Sequence, residues 1–411
     1  MTEQHTKEPF FNADYHLLKS KIAEDEFDIW VAVLRSTDEP GKQLPVVYVT
    51  DGNIMFPIVA STVSGSLISA ELPEMIVVGI GHHMGPVLGN PAASQKWMVA
   101  RTKHLTPTVV TEVAGTTGGG EKYLRFIREE LIPLIDSKYA TNPQDRTLFG
   151  HSLGGLFTLY ALFRHPDTFS RYIAGSPSLR WDNGVLFQHE REFAEDRNSL
   201  AAKVFISVGS LEPEPMGTLA KQMADILKSR NYNGLELTYM SLDGETHFSC
   251  VGQAISRGLR VVFRGLKEYA STTYNFTFKH NDTWTDLKIG GNIVIIWLAS
   301  AQYRFPGVHV DRYPKATAGT FEQLLTSSDY MRIIRGTDVK IGKTEELTNL
   351  YGIRATAITF KYTAADGTVL DAKAYGFIKG DLWFVMSLYQ LPVLGLESVK
   401  PDEVFNTWKF N

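Results

Sequence analysis

The sequence predicts a doubly wound, mostly parallel α/β sheet followed by a smaller α+β unit. Three observations lead there. From Leu44 to about Ala270, apolar β-capable runs alternate with helical periods. Several of those runs are apolar at consecutive positions, as strands covered on both faces are. After Tyr269 the alternation gives way to closely spaced strands and turns.

Taken in order, Tyr15–Leu18 and Phe27–Leu34 read as two antiparallel strands at one sheet edge. Leu44–Thr50 (LPVVYVT), Met75–Ile80 (MIVVGI), Thr147–Phe149, Arg171–Ala174, Lys203–Val208 (KVFISV) and Leu235–Met240 (LELTYM) read as the parallel strands. Helices are expected at Lys122–Ile135, Leu153–Arg164, Thr218–Arg230 and Val251–Tyr269. A boundary is placed near residue 272, dividing an α/β unit of residues 1–271 from an accessory unit of residues 272–411. In the second unit Ile358–Tyr362, Val369–Ile378 and Leu382–Tyr389 form an expected meander, turning at Ala365-Asp366-Gly367 and Lys379-Gly380-Asp381. Phe321–Leu325 and Pro401–Lys409 are expected to be helical, the latter with Pro and acids in its first turn.

Bulk properties exclude several function classes. A net charge of −4 over 411 residues gives no basic footprint for nucleic acid. No stretch approaches the roughly 18 consecutive apolar residues of a membrane span; the longest candidate, Ile293–Ala299, is strand-sized. The start, MTEQHTKEPFF, lacks the charged head and apolar run of a secretory leader, so a cytoplasmic location is expected. One cysteine, Cys250, excludes an internal disulfide and argues against a cysteine metal site. His82-His83 has no H-E-x-x-H or other spaced ligand set beside it, so neither metal nor cofactor is expected.

The chemistry concentrates in Gly150-His151-Ser152-Leu153-Gly154, a G-x-S-x-G between a short β run and a helical period. That is the strand-to-helix turn that lifts a serine hydroxyl clear of the backbone in α/β-hydrolases. Side chains two residues either side of the serine would collide where strand and helix cross, hence the glycines. A serine nucleophile needs a base and the base an orienting acid, in the chain order Ser, acid, His. His165 ends the nucleophile's own helix, His189 lies in a charged stretch, and His280 and His309 fall past the boundary. His247 follows the last sheet strand, in a loop where such sheets present catalytic groups. Glu212 is the first carboxylate after Lys203–Val208, with Glu214, Asp243 and Glu245 as competitors. The oxyanion donors are expected to be the backbone N–H of Leu153 and that of Gly52 or Asn53, in the loop after Leu44–Thr50.

With those residues in place, the run from Gly118 to Asp182 resembles the esterase family that includes enterochelin esterase and related siderophore trilactone hydrolases. YVTDGN (Tyr48–Asn53), RTKHLTPT (Arg101–Thr108), VGSLE (Val208–Glu212) and GETHFS (Gly244–Ser249) fall in that family's order and spacing. The resemblance covers about residues 10 to 270 and implies Ser152 as nucleophile, His247 as base and Glu212 as acid. Two positions depart from the family, which often has Asp at His104 and Trp at Arg180; both are expected to border the acyl or leaving-group pocket. The residues from Ser271 onward lie outside it, and their meander is similar to small PsbP-like α/β domains.

Two glycine-rich stretches carry weaker signals. Gly79-Ile80-Gly81-His82-His83-Met84-Gly85 follows a strand, yet its third glycine is one place late for a dinucleotide fingerprint. Gly115-Thr116-Thr117-Gly118-Gly119-Gly120 lacks the Lys-Ser/Thr of a P-loop and reads either as a mobile flap or as a plain surface loop. The expectation is a serine carboxylesterase acting on a small-molecule ester, a siderophore or an acylated sugar among them. An acyltransferase on the same fold and a non-catalytic interaction protein are the alternatives; the sequence leaves the oligomeric state open.

Overall fold

The alternating half of the chain builds one nine-stranded sheet. Its strands are β1 (His5–Lys7), β2 (Asp14–Ser20), β3 (Asp25–Leu34), β4 (Leu44–Val49), β5 (Met75–His82), β6 (Thr141–His151), β7 (Arg171–Gly175), β8 (Ser199–Gly209) and β9 (Asn233–Leu242). Their spatial order in the computed structural model is β1-β2-β3-β5-β4-β6-β7-β8-β9. The pairs from β1 to β5 across this edge are antiparallel, and every pair from β5 through β4 to β9 is parallel. The consecutive apolar residues have the predicted cause: all eight residues of β5 are buried.

The structure describes residues 5–7, 12–35, 41–68, 71–85, 87, 89–113 and 115–263 and, beyond those, the strand and helix segments named below with a few flanking residues. Contact density divides the chain into two units, Met1–Leu67 with Glu74–Phe263, and Ile68–Pro73 with Arg264–Asn411.

Helices α1 (Gly52–Ile68), α2 (Pro91–Leu105), α3 (Gly120–Phe126), α4 (Ile132–Lys138), α5 (Leu153–Arg164), α6 (Val185–Glu195), α7 (Met216–Ser229) and α8 (Cys250–Val262) connect the strands. The helix expected over Lys122–Ile135 is α3 and α4 joined by a π turn, Ile127–Leu131. Pro133 has no N–H to give the α-helical ladder, and one residue earlier the Ile132 N–H reaches five residues back to the Ile127 carbonyl. Helix α2 starts at a side-chain cap: Asn90 Oδ1 accepts the Ala93 N–H at 3.2 Å, with Pro91 in the first turn.

One expected element is corrected. The helix predicted over Val251–Tyr269 stops at Val262, and Leu266–Ser271 is a strand, β10, paired antiparallel with β11 (Phe276–Asn281). The amphipathic period runs out at Phe263, and the chain beyond it satisfies its backbone across a ladder instead.

In the second unit β10 and β11 join β19 (Lys409–Phe410) in one sheet. A second, seven-stranded sheet contains β12 (Trp284–Ile289), β13 (Ile293–Leu298), β14 (Val308–Pro314), β15 (Gly336–Thr348), β16 (Arg354–Ala364), β17 (Val369–Lys379) and β18 (Leu382–Gln390), in the order β12-β13-β14-β18-β17-β16-β15. The expected meander is β16, β17 and β18; residues 365–366 and 380–381 of its turns lie outside the described residues. Helix α9 (Phe321–Leu325) carries a capping box between Thr320 and Gln323. Its Phe321, Leu324 and Leu325 bury against Ile358, Phe360, Ala372, Ala374 and Val385. The helix expected over Pro401–Lys409 falls mostly outside the described residues, and its last residue belongs to β19. Among the described residues no helix is long and apolar enough to cross a membrane, and no group of three or more His, Cys, Asp or Glu could hold a metal ion.

The core of the first unit contains a histidine pair. His82 and His104 are 4% and 1% exposed, their rings stacked at 5.1 Å and 18° against Phe27 and Tyr123. Burial pushes His82 from the ordinary 6.5 to about 4, and burial with His82 and Lys103 nearby pushes His104 to about 3. The unfolded chain binds these two protons below about pH 6.5, whereas the folded protein refuses them until far lower. Stability is therefore full above that pH and is lost as pH falls toward 4. The thermal midpoint should drop between about pH 7.5 and pH 5, and His104→Phe should flatten the drop; equal slopes for both proteins would rule this origin out.

Candidate active site

Ser152 occupies the turn between β6 and α5 with φ 61° and ψ −116°, a conformation that costs a non-glycine residue energy. The surrounding glycines are steric necessities. A Cβ on Gly150 would lie 2.1 Å from the Gly154 carbonyl oxygen, and one on Gly154 would lie 2.5 Å from Thr50 Oγ1. The turn is fixed by the Ser152 N–H on the Gly175 carbonyl at 2.9 Å, and by the Ser178 N–H on the Ser152 carbonyl at 3.1 Å. Ser152 Oγ lies 3.3 Å from Ser178 Oγ, and among the described residues no hydrogen bond joins it to His247.

The loops after β8 and β9 bring Glu212 and His247 together. His247 Nδ1 and Glu212 Oε2 are 2.6 Å apart, the glutamate side chain 1% exposed and the imidazole 25%. Glu212 Oε1 accepts the Gly209 N–H at 2.9 Å and the Ser176 hydroxyl. Burial alone would raise this carboxyl, but the bonds from His247, Ser176 and Gly209 outweigh it and hold the group down at about 2. The other carboxylates bond to nearby side chains instead: Glu214 accepts from the Thr218 hydroxyl, Asp243 sits at 3.5 Å from Ser210 Oγ, and Glu245 accepts from the Ser249 hydroxyl and the Gln253 amide. The His247 ring packs between His151 at 4.8 Å and Phe248 at 5.1 Å. His151 directly precedes Ser152, so this contact sets the imidazole beside the serine turn. Burial and the adjacent His247 push His151 down to about 4, so it stays a neutral ring at neutral pH.

The third wall is the loop after β4. Asp51 takes φ 54°, and its fully buried carboxylate receives Arg101 Nε at 2.9 Å and Nη2 at 2.8 Å. Arg101 lies over the Trp97 ring at 4.7 Å. Asn53 is tied to the end of β5, accepting the His82 N–H at 2.8 Å and donating to the His82 carbonyl at 3.0 Å. A Cβ on Gly52 would fall 2.6 Å from the Ile80 nitrogen, so only glycine lets this loop lie against β5. The backbone N–H groups of Gly52, Asn53 and Leu153 have no acceptor among the described residues. A Cβ on Gly154 would also stand 3.4 Å from Asp51 Oδ2, so the two loops are in contact.

The remaining sequence signals have separate outcomes. His104 is buried in the aromatic core rather than lining a pocket, while Arg180 is exposed at the start of a short 3-10 turn, Trp181–Gly184. The glycines of the β5 run answer to packing: a Cβ on Gly79 would strike Phe56, and one on Gly81 would strike Trp30 and Asn53. The glycine run before α3 is fastened at its end. The N–H groups of Gly118, Gly119 and Gly120 bond to Thr106 Oγ1 and the Lys103 and Thr106 carbonyls at 2.8–2.9 Å. Ser176 and Ser178 were not singled out by the sequence; a Ser-Pro-Ser immediately after β7 was the available signal.

Comparison with known proteins now bears on this geometry. The model of the family described as "Putative esterase" matches residues 26–248. The chain is 29% identical over 260 residues to ferri-bacillibactin esterase BesA of Bacillus subtilis, covering 61% of this chain and 84% of that protein. It is 28% identical over 248 residues to the siderophore triacetylfusarinine C esterase of Aspergillus fumigatus, covering 54% of this chain and 82% of that one. The crystal structure of the BES protein from Bacillus cereus superposes with a TM-score of 0.56 at 29% identity, over 64% of this chain and 98% of that chain.

The Asp51–Arg101 pair gives a test of the third wall. Arg101→Leu strands a buried carboxylate and should cost about 3–5 kcal/mol in denaturant unfolding. Adding Asp51→Asn should recover much of that loss; a single variant as stable as the parent would show that the pair contributes nothing.

Proposed function

Because this chain belongs to that esterase family and is a carboxylic ester hydrolase, we propose that it cleaves its ester through a Ser152 acyl-enzyme. Ser152 Oγ attacks the ester carbonyl while His247 Nε2 takes its proton. Glu212 holds Nδ1–H, fixing the tautomer and stabilising the imidazolium. The alkoxide of the tetrahedral intermediate is received by the free N–H of Leu153 with that of Gly52 or Asn53. His247 returns the proton to the departing alcohol, then activates water to release the acid and restore Ser152. The observation that carries this reading is the 2.6 Å Glu212–His247 pair set beside a strained serine turn.

The substrate class follows the relatives, whose names specify siderophore esters. Exposed Leu211 (64%) and Phe248 (74%) flank Glu212 and His247, and suit an aromatic or apolar group beside the ester. A siderophore trilactone is the substrate to try first, with acetylated and feruloylated sugars as comparators.

Ser152→Ala should lower the hydrolysis of p-nitrophenyl acetate and of the best siderophore ester by about 10³-fold or more, leaving the residual supplied by binding and the oxyanion donors. A fluorophosphonate probe should label the parent protein and not the variant. Parental rates in Ser152→Ala would exclude this serine.

A further inference from the structure

Ser176 lies one residue past β7, as Ser152 lies one residue past β6. It too is held left-handed, with φ 41°. It is fully buried, and its N–H bonds to the Ser207 carbonyl at 2.7 Å. Glycine would adopt this backbone freely, whereas a serine here is strained. Its hydroxyl proton goes to Glu212 Oε1. Cys250 Sγ stands 3.4 Å from the same hydroxyl and 3.8 Å from Oε1, so a weak thiol donor is the nearest substitute.

Glu212 has two oxygens with separate duties. Oε2 meets His247 Nδ1, and Oε1 is anchored by the Gly209 N–H and Ser176. One donor alone lets a carboxylate pivot about its bond to that donor; two donors on the same oxygen fix both its plane and the direction of the other oxygen. We propose that Ser176 is a positioning residue for the ester cleavage, a fourth member behind Ser152, His247 and Glu212 that aims Oε2 at the imidazole. The inference rests on the acid assignment to Glu212 made above. It touches neither substrate nor the reacting atoms, so it governs turnover and not binding.

The test compares Ser176→Ala with Ser176→Gly in the full chain, with p-nitrophenyl acetate as substrate. Both remove the hydroxyl; only glycine relieves the left-handed strain. Each should lower kcat by about 10–100-fold and leave KM within about 2-fold, while the glycine variant melts no lower than the alanine variant. In a Glu212→Gln background, Ser176→Ala should cost less than about 2-fold more. Parental kcat in the glycine variant, or an equal loss on both backgrounds, would overturn the role. Should Glu212→Gln itself retain the parental rate, the acid assignment fails and this inference falls with it. A large Glu212→Gln loss beside an unaffected Ser176→Ala removes Ser176 alone.

Discussion

The register of four parallel strands is the constraint on which the rest of the site depends. His151 of β6 pairs with Gly175 of β7, and Gly175 pairs with Ser207 of β8. The ladder then runs one residue beyond the strands: Thr50 N–H to Phe149, Ser152 N–H to Gly175, Ser176 N–H to Ser207. Each bond spends a main-chain donor on the neighbouring strand just where the chain must turn away, and the left-handed conformations at Asp51, Ser152 and Ser176 are how it turns. A shift of one residue would exchange the faces of every side chain beyond it.

Around that row, charge is handled by pairing and never left alone. Asp51 is wholly buried and carries a two-point contact from Arg101; the buried Glu212 side chain carries donors from His247, Ser176 and Gly209. The buried histidines solve the same problem by remaining neutral, His151 by burial beside His247 and His104 by burial beside His82. The interior behind the serine turn is thus a place where ionised and neutral groups are sorted by the number of donors each can reach.

Local features of the sequence made much of this legible. The apolar runs marked the strands because a parallel sheet buries both faces, and the two glycines around Ser152 marked a crossing too tight for a Cβ. Loops following strands directed attention to Glu212 and His247, which the fold brings to 2.6 Å. What stayed hidden is non-local. Helix α1 buries Met55, Phe56, Val59, Ala60 and Val63, but its exposed positions are Pro57, Ser61 and Gly65, with no charged residue to mark that face, so its period does not stand out. The end of α8 was overrun because Leu266–Ser271 answers to β11 and not to its own spacing. The Ser-Pro-Ser after β7 carries no sign of what Ser176 bonds to, since its partner Glu212 is reached only across the β7–β8 register. His104 looked like a pocket residue by comparison with relatives, yet Phe27 and Tyr123 enclose it.

The row of strand ends also bears on how the protein comes into being. Its contributors run from Thr50 to His247, each delivered by a different strand, and the pairings among them join distant parts of the chain. Such long-range parallel pairing is slow to nucleate, because loop closure must precede any gain from contact. A partly zipped sheet would possess the Ser152 turn without the carboxylate and imidazole that complete it. Under the proposed mechanism, the site exists only once the pairings from β4 to β9 are complete.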